Sequence, residues 1–262
     1  MAGTLERALS IIALLAKCGG SMQLAEISDA LSIPRSGTHR LLATLIDEGY
    51  VRQDEVHGEY SLALKLVSLA LIYLSMGGVL DISQPVLDRL AEASGELARL
   101  GVVEDDHIIF VAKAQGAKSG LRYDPDMGSR PPLHCTASGQ AWLSSMSDDA
   151  ALTLVAKEGG IGDPHIGGPE VVKTLPQFLK ALRAARQRGY GLARESYEAG
   201  MTSIGAVVRH PISGAVVGII SLAGPSTRLT DLRVDALETP LLEAARDMSA
   251  AVLQSPFFKP AK

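Results

Sequence analysis

The sequence predicts an α/β chain of the α+β kind: an N-terminal winged helix-turn-helix, a linker helix, and a C-terminal domain on an antiparallel sheet. Three observations carry this. Leu24, Ile27 and Leu31 repeat at helical spacing, Ser32-Ile33-Pro34 breaks the repeat, and Thr38, Leu41, Leu42 and Leu45 resume it until Gly49. A nearly uninterrupted apolar run then covers residues 62–76. From residue 97 onward, short apolar or alternating segments mix with amphipathic helical ones.

The elements follow in order. Leu5, Ala8, Leu9, Ile12 and Leu15 give a first helix with an apolar stripe. The two helices around Pro34 form a helix-turn-helix, whose second helix is the one able to enter the DNA major groove. Its apolar residues share one side. Arg35, Ser36, His39, Arg40 and Thr44 occupy the other, and each can reach a phosphate or a base edge. YVRQDEVHGEYSL then reads as two short strands turning near His57-Gly58, a wing with Arg52 at its base facing a backbone phosphate. Residues 1–62 are thus expected to be the DNA-binding domain and 63–80 the linker helix. The apolar run is too short for a membrane span, which takes about twenty residues. Being apolar on nearly all sides, it must be covered on nearly all sides, either by its copy in a second subunit or within its own subunit.

Residues 81–262 form the second domain. Helices are expected at 82–94, 136–145, 148–158, 174–188 and 230–254. Strands are expected at 97–103, 107–114, 120–123, 203–210 and 215–223, giving a sheet of five or six strands. GAVVGIISLAG is apolar on both faces, as a central strand should be.

Composition excludes several classes. The chain of 262 residues is 47% hydrophobic and 21% charged, enough for full cores in two domains. Cys18 and Cys135 are the only cysteines, far apart, which fits a reducing cytosol better than a disulfide scaffold. MAGTLERALS carries an early Glu and Arg into an amphipathic helix, so no signal peptide is expected and the location is cytoplasmic. The net charge is −4, and residues 1–62 hold five basic against eight acidic residues. No global basic field draws this chain to nucleic acid. Its few cations, Arg35, Arg40 and Arg52, must cluster while the acids point away, and affinity must lean on dimerisation.

Five stretches identify a family. TLERALSIIALLA, SIPRSGTHRLLATLIDEGYV, PLHCTASGQAWL, RGYGLARESYEAGMTSIGAVV and AVVGIISLAGPSTRLT, in this order and spacing, resemble the IclR-type bacterial transcriptional regulators over nearly the full length. The resemblance implies a GAF/PAS-like effector domain after the linker. It also implies a dimer or dimer of dimers that binds double-stranded operator DNA, controls a catabolic operon and senses a small organic acid. No cofactor, metal, catalytic residue or membrane is implied. The amides of Thr136, Ala137 and Ser138, at a helix N-terminus, match the family's carboxylate clamp, consistent with the anion preference of helix N-termini. The facing positions, matched residue by residue, are Tyr123, Ala193, Met201, Ser203, Ser221 and Ala223. Where relatives binding very small oxo-acids carry an Asp, a Cys and a second Ser, this chain has Ala193, Ser203 and Ala223. A roomier, less polar pocket follows, suited to an aromatic or apolar-bodied carboxylate. Two further departures are Gly37, where the family usually has Thr, and Gln140, where it often has Lys. Gly37 removes a DNA-facing hydroxyl, shifting contacts to Ser36 and Arg40.

Two other classes remain to be weighed. His134-Cys135 invites a thiol-dependent enzyme, with His107 or His165 as base or metal ligand. Neighbours in an extended segment point to opposite sides, however, and no Cys/His cluster has zinc-ligand spacing. A ligand-binding protein without DNA binding would follow if Gly37 disabled the recognition helix.

Overall fold

A computed structural model describes residues 3–125, 127–163 and 166–258. The chain forms two compact units, residues 1–76 and 77–262.

In the first unit, α1 (Thr4–Cys18), α2 (Leu24–Leu31) and α3 (Arg35–Asp47) close a core of Ile11, Leu15, Ile27, Ile33, Leu41, Leu42, Leu45, Val51 and Tyr60. The turn between α2 and α3 is made by Ser32, which adopts the left-handed conformation at φ 52°. Ser28 stabilises it by donating its hydroxyl to the Ile33 carbonyl at 2.5 Å while its own carbonyl accepts the Ile33 amide at 3.0 Å. β2 (Val51–Gln53) and β3 (Tyr60–Leu62) are the expected wing. The wing carries a third strand that the sequence did not announce, β1 (Ser21–Met22), paired antiparallel with β3. Two residues between a glycine pair and a helix are too few to show a period.

α4 (Lys65–Gly77) starts from an anchored end: Lys65 donates to the Glu48 carbonyl and lies 4.4 Å from the centre of the Tyr50 ring. Along the rest of α4, Val67, Leu69, Leu71, Ile72, Tyr73 and Met76 are all exposed. No single described helix is long and apolar enough to cross a membrane.

The second unit holds α5 (Val79–Ser94), β4 (Leu97–Glu104), β5 (His107–Gln115), α6 (Ala137–Ser144), α7 (Asp148–Lys157), α8 (Leu175–Arg188), β6 (Gly191–Arg194), β7 (Met201–Arg209), β8 (Val216–Pro225) and α9 (Asp231–Ala251). The five strands run in the order β5-β4-β8-β7-β6, each antiparallel to its neighbours, with β8 central as its apolar sequence requires. α6 lies on one face, with Trp142 and Leu143 packing beside Phe178, Leu182 and Ile219. α5 and α9 pack together on the other.

Two expectations are corrected. Residues 120–123 are not a strand. The Gln115 side chain donates to the Tyr123 carbonyl and accepts from the Ala117 amide, and Arg228 donates to the Leu121 carbonyl, so side chains satisfy polar groups a ladder would have held. Instead, the fifth strand is β6, an edge strand of four residues between Gly189 and Glu195, both at positive φ. The last helix also stops earlier than expected, with a 3₁₀ turn over Val252–Gln254.

Candidate functional site

Two sites stand in the two units. On α3, Thr38, Leu41, Leu42 and Leu45 are buried, while Arg35, Ser36, His39, Arg40 and Thr44 are exposed. The spacing of 3.6 residues per turn separates these sets, leaving one polar face free of the core. Arg52 is exposed on β2 and donates its Nε to Ser61 Oγ on β3 at 3.0 Å, which holds its stem along the wing. At the wing turn, Asp54 Oδ1 accepts the amides of His57 (2.6 Å) and Val56 (2.9 Å), and these bonds hold its carboxyl below the usual range.

Gly37 sits inside α3 with ordinary helical geometry, and a Cβ there would lie 3.5 Å from Ile33 Cγ2, a normal contact. Glycine is therefore not demanded by space. Gly37→Ala is expected to stabilise the first unit by about 1 kcal/mol through helix propensity, read as a raised melting temperature. A lowered one would mean that the helix needs glycine for a reason not visible in its packing.

The second site is a pocket on the α6 face of the sheet, with ≈ 610 Å³ of free space, its open mouth included. Tyr123, Thr136, Ala137, Ser138, Ala193, Met201, Ser203, Ser221 and Ala223 all line it. The sheet register explains why residues so distant in sequence meet. Ala193, Ser203 and Ala223 pair across β6, β7 and β8, and form one row. Gly191, Gly205, Ser221 and Arg99 pair across β6, β7, β8 and β4, and form the next row on the same face.

The two glycines seat α6. A Cβ on Gly191 would lie 2.2 Å from the Ala137 carbonyl oxygen, and one on Gly205 would lie 3.2 Å from the same residue's backbone. The helix start therefore rests on bare backbone. Gln140, buried within α6, accepts the Leu192 amide at 3.4 Å and ties the helix to β6, a bond for which an amide side chain is suited and a lysine is not.

Thr136 is the N-cap of α6. Its hydroxyl accepts the Gly139 amide at 3.1 Å and donates to the Pro132 carbonyl at 2.8 Å. The Ala137 and Ser138 amides, at the first two helical positions, have no intrahelical acceptor. Beside them the Ser221 hydroxyl is buried and unpartnered. Burial raises the Tyr123 phenol to about 12, so it stays protonated and able to donate.

Sequence reasoning missed eight lining residues: Arg99, Phe110, Pro125, Ser129, Pro131, Tyr197, Glu198 and Thr202. A signal existed for Arg99, a single cation in the otherwise apolar strand start LARLGVV. Thr202 is occupied elsewhere, 2.9 Å from Ser226 Oγ.

The thiol chemistry finds no support. Cys135 is fully buried, and burial, with Glu158 nearby, pushes its thiol up to about 12, so the thiolate a nucleophile needs is absent. Burial also depresses the basicity of His134. His107 lies beside Asp106, and His165 is outside the described residues.

Residues 4–55 match the IclR helix-turn-helix domain, and residues 71–250 match the bacterial transcriptional regulator IclR C-terminal domain. The chain belongs to the IclR family. It is 30% identical to the HTH-type transcriptional repressor AllR of Escherichia coli K12 over 251 residues, 96% of this chain and 90% of that protein. The IclR regulator of Alicyclobacillus acidocaldarius superposes with a TM-score of 0.80 at 22% identity, covering 94% of this chain and 97% of that one. An IclR homologue from Microbacterium hydrocarbonoxydans, solved in complex with 4-hydroxybenzoate, gives 0.77 at 21% identity, covering 97% and 100%. At such identities these two structures speak for the fold alone. As an IclR-family member, the protein is a DNA-binding transcriptional regulator with a ligand-binding C-terminal domain, and not an enzyme. The thiol enzyme and the receptor without DNA binding give way to this assignment.

Proposed function

We propose that this protein works in the cytoplasm as a homodimer, or a dimer of dimers, controlling a catabolic operon in response to a small carboxylate with an apolar or aromatic body. The carrying observation is the juxtaposition of the free Ala137 and Ser138 amides with the unpartnered Ser221 hydroxyl on one pocket wall. A carboxylate without partners would be costly there, whereas these donors complete its hydrogen bonds. Ala193 and Ala223 place no polar group opposite, and Tyr123 offers a ring. The Microbacterium relative's 4-hydroxybenzoate, an aromatic carboxylate, is in keeping with this.

Self-association is supported by α4, whose exposed apolar residues a second copy would cover. Arg35, Ser36, His39, Arg40 and Thr44 would meet operator DNA, with Arg52 on a phosphate. Effector binding shifts the equilibrium only if it favours one arrangement of the dimer, and the linker helices are the elements placed to carry that preference.

Calorimetry with benzoate, 4-hydroxybenzoate, hexanoate and glyoxylate tests the effector class. The larger acids are expected to bind, and Ser221→Ala to weaken them by roughly 1–3 kcal/mol, the range for a hydrogen bond to a charged group. Operator affinity of the unliganded protein should not change. Tight binding of glyoxylate alone would overturn the reading.

A further inference from the structure

Among the described lining residues Arg99 is the one cation, and the carboxylate reading above does not use it. It stands on β4, directly across from Ser221 on β8, and it is only 8% exposed. Its guanidinium carbon lies 3.7 Å from the centre of the Phe110 ring. Among the described residues it makes no hydrogen bond and no ion pair, and its Nε is buried without a partner. Asp124, the carboxylate whose charge acts on Arg99, is taken by Lys113, the cross-strand neighbour of Arg99 on β5. Stacking on a phenyl ring offsets only part of the cost of burying a guanidinium. Desolvation accordingly lowers its affinity for the proton, although the tyrosines beside it oppose this.

The two donor groups of the pocket are separate. The α6 N-terminus rests over Gly205 on β7, whereas Arg99 is two strands further along the same row, with Ser221 between them. At about 4.8 Å per strand, the two anchor points stand roughly 10 Å apart at the level of the backbone. One carboxylate on the α6 amides leaves Arg99 unanswered. A compact molecule with acids at both ends answers both.

We infer that the effector is dianionic, a small dicarboxylic acid lying along the Gly205–Ser221–Arg99 row, with one carboxylate on the amides of α6 and the other on Arg99. This rests on the carboxylate reading above and narrows it. Arg99 supplies what a helix N-terminus cannot, a full charge with parallel N–H donors for a planar acid. The apolar body of the ligand then spans Ala223 and Phe110. Glu198, exposed on the loop between β6 and β7, faces the pocket with the opposite charge.

The test is calorimetry with matched pairs: adipate against hexanoate, and terephthalate against benzoate. The intact wild-type protein is expected to bind each diacid roughly tenfold to a hundredfold tighter than its monoacid partner, the yield of one charged hydrogen-bonded pair. Arg99→Met keeps the stem over Phe110 but removes the charge. It should abolish the diacid preference and leave monoacid affinity within about twofold, while Arg99→Lys retains part of the preference. The ligand-free Arg99→Met protein should melt at or above the wild-type temperature, because an unpaired buried cation has been replaced by an apolar chain. A purely structural Arg99 would show the reverse, with a lowered melting temperature and unchanged diacid selectivity. Monoacids binding as tightly as diacids to the wild type would overturn the dianionic effector alone. If neither series binds, the carboxylate reading fails and this inference fails with it. Should Arg99→Met not fold, the selectivity of the wild type and of Arg99→Lys decides the matter.

Discussion

Arg40→Ala is expected to abolish specific operator binding while leaving the fold intact. Arg40 is exposed on the α3 face opposite Leu41, Leu42 and Leu45, and its side chain has no hydrogen bond or ion pair among the described residues. Nothing in the core depends on it. A bidentate contact from an arginine to guanine carries about 1–3 kcal/mol of discrimination, and a two-fold assembly makes it twice, so about 2–6 kcal/mol is at stake. Arg52 gives the contrast. Its Nε is held by Ser61 on the wing, and Arg52→Ala should weaken operator and scrambled DNA alike, as loss of a phosphate contact does. Fluorescence anisotropy on an operator selected with the wild-type protein separates the two variants. Wild-type specificity in a folded Arg40→Ala protein would remove this residue from the reading face.

Gly191→Ala should have the largest effect on the second unit. The added methyl would sit 2.2 Å from the Ala137 carbonyl oxygen and 2.6 Å from the Ala141 amide nitrogen, and both are backbone atoms with no rotamer to change. α6 must therefore lift off the sheet, at a cost of about 1–3 kcal/mol or more from overpacking. The lift also carries the Ala137 and Ser138 amides away from Ser221, so effector binding should fall with stability. Gly205→Ala, with its nearest backbone contact at 3.2 Å, should do the same more mildly. The comparison with Gly37→Ala is informative, because the same substitution is expected to stabilise one unit and destabilise the other. Thermal unfolding and effector calorimetry on the three variants check this. Unimpaired binding by Gly191→Ala would show that α6 is not seated through that glycine.

The winged helix was legible because its helices are amphipathic, and a 3.6-residue period survives without tertiary information. The central strand β8 was legible for a similar reason, since a run apolar on both faces leaves few other assignments. β6 was not, because four residues flanked by glycine and charge carry no period, and their strand character comes entirely from pairing with β7. Residues 120–123 went wrong in the opposite direction: a plausible strand lost its ladder to the side chains of Gln115 and Arg228. In the pocket, positions came from matching the family's motifs and needed no geometry, yet Tyr197, Glu198 and Thr202 lie within those motifs and were still missed. Arg99 lies outside them. What brings it to the pocket is the register of β4 against β8, which cannot be read along a single chain.

The two adjacent rows on the sheet divide the labour of the pocket between positions that seat α6 and positions that line the space beside it. Gly191 and Gly205 set where the helix start lies, whereas Ala193, Ser203 and Ala223 line the pocket with small side chains. A regulator laid out in this way can be retuned to a new metabolite by substitutions in the second row, which change the pocket wall and not the glycines under α6. A library over those three positions would therefore explore new inducers while leaving the glycine seat of α6 untouched.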